Sequence, residues 1–236
     1  MQKLLKANNG YTTNINQYTK KDGIMALLLF SIIILEYTVV GILQKNLDFV
    51  KNNAKLFGCA VNLLLIFITI LFVKLNKQKL DTIGIPKGNW KLSIVLGTIL
   101  ALFYFYNNCL SHIITGSRFV PIKKIPILSG YFFLVSVCEE FVFRGYIGTR
   151  IYGFCKNKYI AVSLTGLLFV VMHFPYRMAA YGMTINDLIV NKPFWLLDLF
   201  TFHIILNFIY MKTNSLYGAI IPHWISNLAY NIIATC

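Results

Sequence analysis

Long uncharged apolar runs, separated by short lysine-rich segments, limit most strongly what this chain can fold into. An α-helix needs about twenty apolar residues, at about 1.5 Å rise each, to cross the hydrocarbon of a bilayer. Seven segments qualify, at roughly 23–43, 57–75, 93–116, 127–154, 159–175, 194–211 and 215–235. Inside a bilayer the backbone has no water to bind, so such runs must be helical. The predicted fold class is therefore all-α: a polytopic membrane bundle of about seven transmembrane helices. The third and fourth segments exceed the required length and imply tilt or protrusion. The fifth is short and stops at Pro175.

The first 22 residues are polar and basic, and residues 23–235 read as a single transmembrane domain without internal repeats. The run from Gly23 to Leu43 is too long for a signal-peptide core and lacks a small-residue cleavage site, so it reads as a retained span. The formal charge of +14 raises the question of nucleic acid. The bases are scattered through the connections instead of lining one face, which argues against nucleic-acid binding and leaves the lipid bilayer as the partner. Thirteen lysines and arginines fall on the N-terminal side of the membrane and eight on the other, predicting a multi-pass protein of the cell membrane with its N-terminus in the cytoplasm. The five cysteines stand singly, without the spacing of a disulfide framework or a zinc site. Cys236 is not the start of a prenylation box.

Chemistry enters with the acids. Four of the eight lie inside apolar segments: Glu36, Glu139, Glu140 and Asp198. A charge near the bilayer centre costs a few kcal/mol even on lenient scales, so such groups face a cavity or a partner. In SVCEEFVFRGY, Glu140 and Arg144 are four apart and share a helical face on which they can pair. Glu139, about 100° around the helix, keeps no obvious local partner. In LLFVVMHFP, Phe169 and His173 are four apart, so the ring can pack beside the imidazole. Two antiparallel helices joined by a tight loop would bring Glu139 and His173 to one depth, about 20 Å from the same membrane face. The last segment contains PHWISN, with His223 and Asn227 on one face and Pro222 breaking the backbone ladder beside them.

Taken in order, EEFVFR, FVVMH and HWISN resemble the motifs EExxxR, FxxxH and HxxxN of the CPBP family, the CAAX-protease and bacteriocin-processing membrane peptidases, also called Abi. The resemblance covers about residues 127–232. It implies a glutamate-dependent intramembrane endopeptidase that needs no metal or other cofactor. On that reading Glu139 is the general base for a water shared with His173, and His223 and Asn227 donate to the oxyanion. Glu140, Arg144 and Phe169 support them. The implied substrate is a peptide or small membrane protein. A bias toward lysine, asparagine and isoleucine points to an AT-rich bacterial genome, and so to a bacteriocin or signalling-peptide precursor. No exporter partner is identified.

Other readings stay open at this level. Cys138 beside Glu139 could be a thiol nucleophile paired with His173. The carboxylates and histidines could bind zinc, although HExxH is absent. The chain could also be a non-catalytic scaffold, regulator or bacteriocin-immunity protein. A second HxxxN, His203 and Asn207, follows Asp198 in the sixth segment; it reads as helix-packing polarity, a lining of the substrate path, or a partner of the Glu140–Arg144 pair. Glu36 has no assigned role, and His112 reads as interfacial.

Overall fold

The computed structural model describes residues 7–84, 88–114, 116 and 118–233. Among these residues every regular element is a helix, and the one strand-like pairing is an isolated antiparallel bridge between Phe119 and Ile233. A short α1 (Asn9–Asn16) precedes α2 (Lys20–Asn46), α3 (Asp48–Asn52), α4 (Ala54–Leu75) and α5 (Trp90–Ile114). A rod follows, Ile122–Cys155, made of a 3₁₀ turn (Ile122–Lys124), α6 (Ile125–Glu139), a π-helical stretch (Glu140–Ile147) and α7 (Gly148–Cys155). Then come α8 (Lys158–Val171), α9 (His173–Tyr181), α10 (Ile185–Asn191), α11 (Pro193–Thr213) and α12 (Tyr217–Asn231).

Six of these helices or helical rods are long and apolar enough to cross a membrane. At most 39% of the apolar window of any of them is buried by protein. Side chains such as Leu35, Phe67, Leu102 and Ile127 face outward, where only lipid can cover them. The chain is thus a multi-pass helical membrane protein. The seventh sequence segment is α12, which at 15 residues is shorter than a full span. It packs along α5.

Two expectations change. The fifth segment does not stop at Pro175: the helix breaks at Met172 and resumes as α9 to Tyr181. Pro175 falls in the first turn of α9, where a missing N–H costs nothing because that group has no intrahelical partner. Arg150, read from sequence as a connection residue, is fully buried in α7.

Small residues let the helices approach. A Cβ on Gly97 of α5 would come within 2.8 Å of Gly218 Cα in α12, so neither site has room for a side chain. Beside them Ser93 Oγ accepts from Gly218 N at 2.8 Å and donates to Ser215 O at 3.0 Å. Gly41 of α2 lies as close to α9, where a Cβ would meet Ala179 Cβ at 2.7 Å.

The lysine-rich end is closed by the N-terminal segment. Tyr11 of α1 packs edge-on against Tyr210 of α11, and Tyr11 and Ile15 are buried. Arg150 ties the neighbouring pieces together. Its guanidinium donates to Gln78 Oε1 (3.2 and 2.7 Å), Thr82 Oγ1 (2.9 Å), Gly145 O (3.0 Å) and Thr149 Oγ1 (2.8 Å). All five N–H donors are therefore used. The rings of Tyr18 and Tyr146 each lie 4.4 Å from its central carbon, a cation–π arrangement removed from water. Arg150→Met keeps the length and removes every donor. Because each buried acceptor left unpaired costs ~1–3 kcal/mol, thermal unfolding in detergent is expected to show a clear loss of stability, whereas Lys51→Met at the exposed end of α3 leaves the transition in place.

Candidate active site

Glu139 ends α6 and Glu140 opens the π-helical stretch, whose eight residues are all buried. A helix buried on every side belongs at the centre of a bundle. Local π geometry inside an α-helix is frequent at functional sites. Gly145 permits it to sit tight against the turn before α5: a Cβ there would lie 2.1 Å from Ile83 Cγ2.

Glu140 is completely buried, and both of its carboxylate oxygens are engaged. One accepts a close hydrogen bond from Arg144 Nη1, the pairing that the i,i+4 spacing predicts. The other accepts from His223 Nδ1 of α12 at 2.6 Å. The second contact joins residues 83 positions apart and was not expected from sequence. It fixes the His223 ring with Nε2 toward Glu139, whose Oε2 is 3.7 Å away. That separation exceeds a direct hydrogen bond and suits a bridging group. Two neighbouring carboxylates thus reach opposite nitrogens of one imidazole.

Arg144 is held on its other side as well. Nη2 donates to the carbonyl oxygen of His203 at 3.3 Å, and its guanidinium lies 5.7 Å from the Phe169 ring. The His203–Asn207 pair of α11 therefore contributes backbone: Asn207 Nδ2 donates to the same His203 carbonyl at 3.0 Å. The His203 ring is fully buried, has no hydrogen-bond partner among the described residues and leans on Phe169 at 5.2 Å.

Phe169 of α8 is the common neighbour of the histidines. His173 lies 5.1 Å from it and His223 lies 6.4 Å, centroid to centroid. His173 opens α9, and its Nδ1–H donates to the Phe169 carbonyl at 2.8 Å. A carbonyl can only accept, so the neutral ring carries its proton on Nδ1 and presents Nε2 as the free nitrogen.

Glu139, Phe169, His173, His223 and Asn227 line one cavity of about 670 Å³. Asp198, left unassigned by the motifs, lines it too. Cys138 is fully buried and does not line it. Among the described residues no three His, Cys, Asp or Glu side chains are grouped closely enough to hold a metal ion. Glu36 of α2 has both carboxylate oxygens buried without a hydrogen-bond partner among the described residues. Apart from Glu140's second contact, sequence reasoning missed the rings that enclose the site, Tyr104, Trp195 and Phe202. No spacing in the chain marks these.

Removing one member of a buried ion pair strands the other, at a cost of ~3–5 kcal/mol. Glu140→Ala is therefore expected to destabilise the protein strongly. Glu140→Ala with Arg144→Met is expected to recover much of the loss, in a double-mutant cycle followed by thermal unfolding in detergent.

Residues 121–229, which contain all three motifs, match the family model described as Type II CAAX prenyl endopeptidase Rce1-like. No curated protein and no solved structure is significantly similar to the chain. That match is consistent with the CAAX-protease (CPBP) family, whose motifs EExxxR, FxxxH and HxxxN the same residues resemble.

Proposed function

We propose that this protein is an intramembrane endopeptidase that hydrolyses a peptide bond with a water activated by Glu139. One observation carries the reading: a buried carboxylate, two imidazoles and an amide line one cavity, and a second carboxylate behind it holds one of the imidazoles. The family match supports protease chemistry of the CAAX-endopeptidase type.

In the proposed reaction a water sits between Glu139 and His173. Glu139 takes one of its protons while the oxygen bonds to the scissile carbonyl carbon. The carbonyl π pair moves onto oxygen, which accepts hydrogen bonds from Asn227 and from Nε2–H of protonated His223. Flanking Glu139 and Glu140 offset the positive charge of that ring. The C–N bond then breaks and the departing nitrogen takes up the proton collected by Glu139. The products are a new carboxyl terminus and a new amine. Arg144 holds Glu140 in place, so that Glu140 aims the ring as an orienting carboxylate does.

The proposed substrate is a peptide or small membrane protein within the bilayer, such as a bacteriocin or signalling-peptide precursor. In keeping with the distribution of lysine and arginine, the proposed location is the cell membrane with the N-terminus cytoplasmic. The proposal dispenses with a metal.

The test compares membrane peptides by mass spectrometry in cells carrying the wild type, Glu139→Gln or Cys138→Ser. Products are expected with the wild type and Cys138→Ser and to fall at least ~10²-fold with Glu139→Gln. The wild-type reaction is expected to persist in strong chelator. Cleavage that survives Glu139→Gln but not Cys138→Ser would transfer the chemistry to the thiol. A deletion strain rescued by Glu139→Ala would identify a scaffold instead.

A further inference from the structure

Glu139 lines a second cavity. This one, of about 290 Å³, is lined mainly by α2, α4 and α6 and shares no lining residue but Glu139 with the cavity of the histidines. Its apolar walls are Tyr37 and Val40 of α2, Phe57 and Val61 of α4, and Tyr131 and Val135 of α6, and Gln44, Lys55 and Asn62 also border it. Val135 is one helical turn before Glu139. The recess is therefore predominantly apolar where the histidine cavity is rich in polar and charged groups.

The recess is already formed. On one side Gly41 brings α2 against α9, and Tyr176 O–H donates to Gln44 Oε1 at 2.7 Å across the two helices. On the other, Gly58 of α4 leaves room for Tyr131 of α6, whose hydroxyl would lie 2.8 Å from a Cβ at that position. The space is below the roughly 300–1,000 Å³ that encloses a whole drug-sized ligand, so it suits a side chain and not a peptide segment.

An extended substrate places successive side chains on opposite sides of its backbone. With its scissile carbonyl beside Glu139 in the histidine cavity, one neighbouring side chain can enter the recess that Glu139 also lines. We infer that the recess is the specificity pocket of the enzyme, receiving one large aliphatic or aromatic side chain of the substrate residue next to the cleaved bond. This inference rests on the peptidase reading above. Burying that side chain removes apolar surface from water and holds the carbonyl in register with Glu139.

The test uses full-length protein in detergent, with a library of apolar peptides randomised at its central positions and sequencing of the products by mass spectrometry. Wild-type cleavage is expected to favour Leu, Ile or Phe at one position flanking the cut. Val135→Phe fills the recess from α6 and Val61→Phe fills it from α4, so the result does not hang on one variant folding. In either, the rate ratio of Leu or Phe over Ala at that position is expected to fall ~10–200-fold, the range that a misfit in an apolar pocket produces. Cleavage that is lost in Glu139→Gln, yet keeps the same side-chain preference in both filled variants, would overturn the pocket and leave the peptidase reading standing. If no cleavage depends on Glu139, both fall.

Discussion

A carboxylate buried beyond the reach of water survives only if each oxygen is matched by a donor. Glu140 meets that condition through Arg144 on its own helix and His223 on the last one. Arg144 in turn is anchored by the His203 carbonyl of α11. The contact thus joins the π-helical stretch, α11 and α12 through a single anion. It sets the rotation of the His223 ring, with Nδ1 on Glu140 and Nε2 toward Glu139, while the Phe169 and Phe202 rings pack beside it.

Around this centre the bilayer divides the molecule into two environments. Outward faces are leucine, isoleucine and phenylalanine, covered by lipid. Inward faces carry the groups a membrane tolerates only when they are paired or line a cavity. Glycines at 41, 97 and 218 allow helix backbones to approach closely, substituting packing for the hydrophobic drive that lipid does not supply between helices. Within this frame a polar cavity and an apolar recess both border Glu139.

The helices could be read from sequence because apolar runs are set by bilayer thickness alone. The Glu140–Arg144 pair could be read because both partners lie on one turn, and the short connection between the helices of Glu139 and His173 is in keeping with both lining one cavity. What escaped notice depends on contacts between distant helices. The Glu140–His223 bond, the His203 carbonyl under Arg144 and the recess between α2, α4 and α6 leave no periodicity in the chain. Arg150 illustrates the converse. Its place near a connection resembles that of any loop base, yet Tyr18, Gln78, Thr82 and Tyr146 converge to bury it.

The most direct measurement is the tautomer of His223, by ¹⁵N NMR of histidine-labelled protein in detergent or lipid. With four histidines in the chain, assignment by single substitution is practical. The account predicts a proton on His223 Nδ1 in a strong hydrogen bond, with signals that change when Glu140 becomes Gln. A bare Nδ1, or a His223 spectrum indifferent to that change, would contradict it.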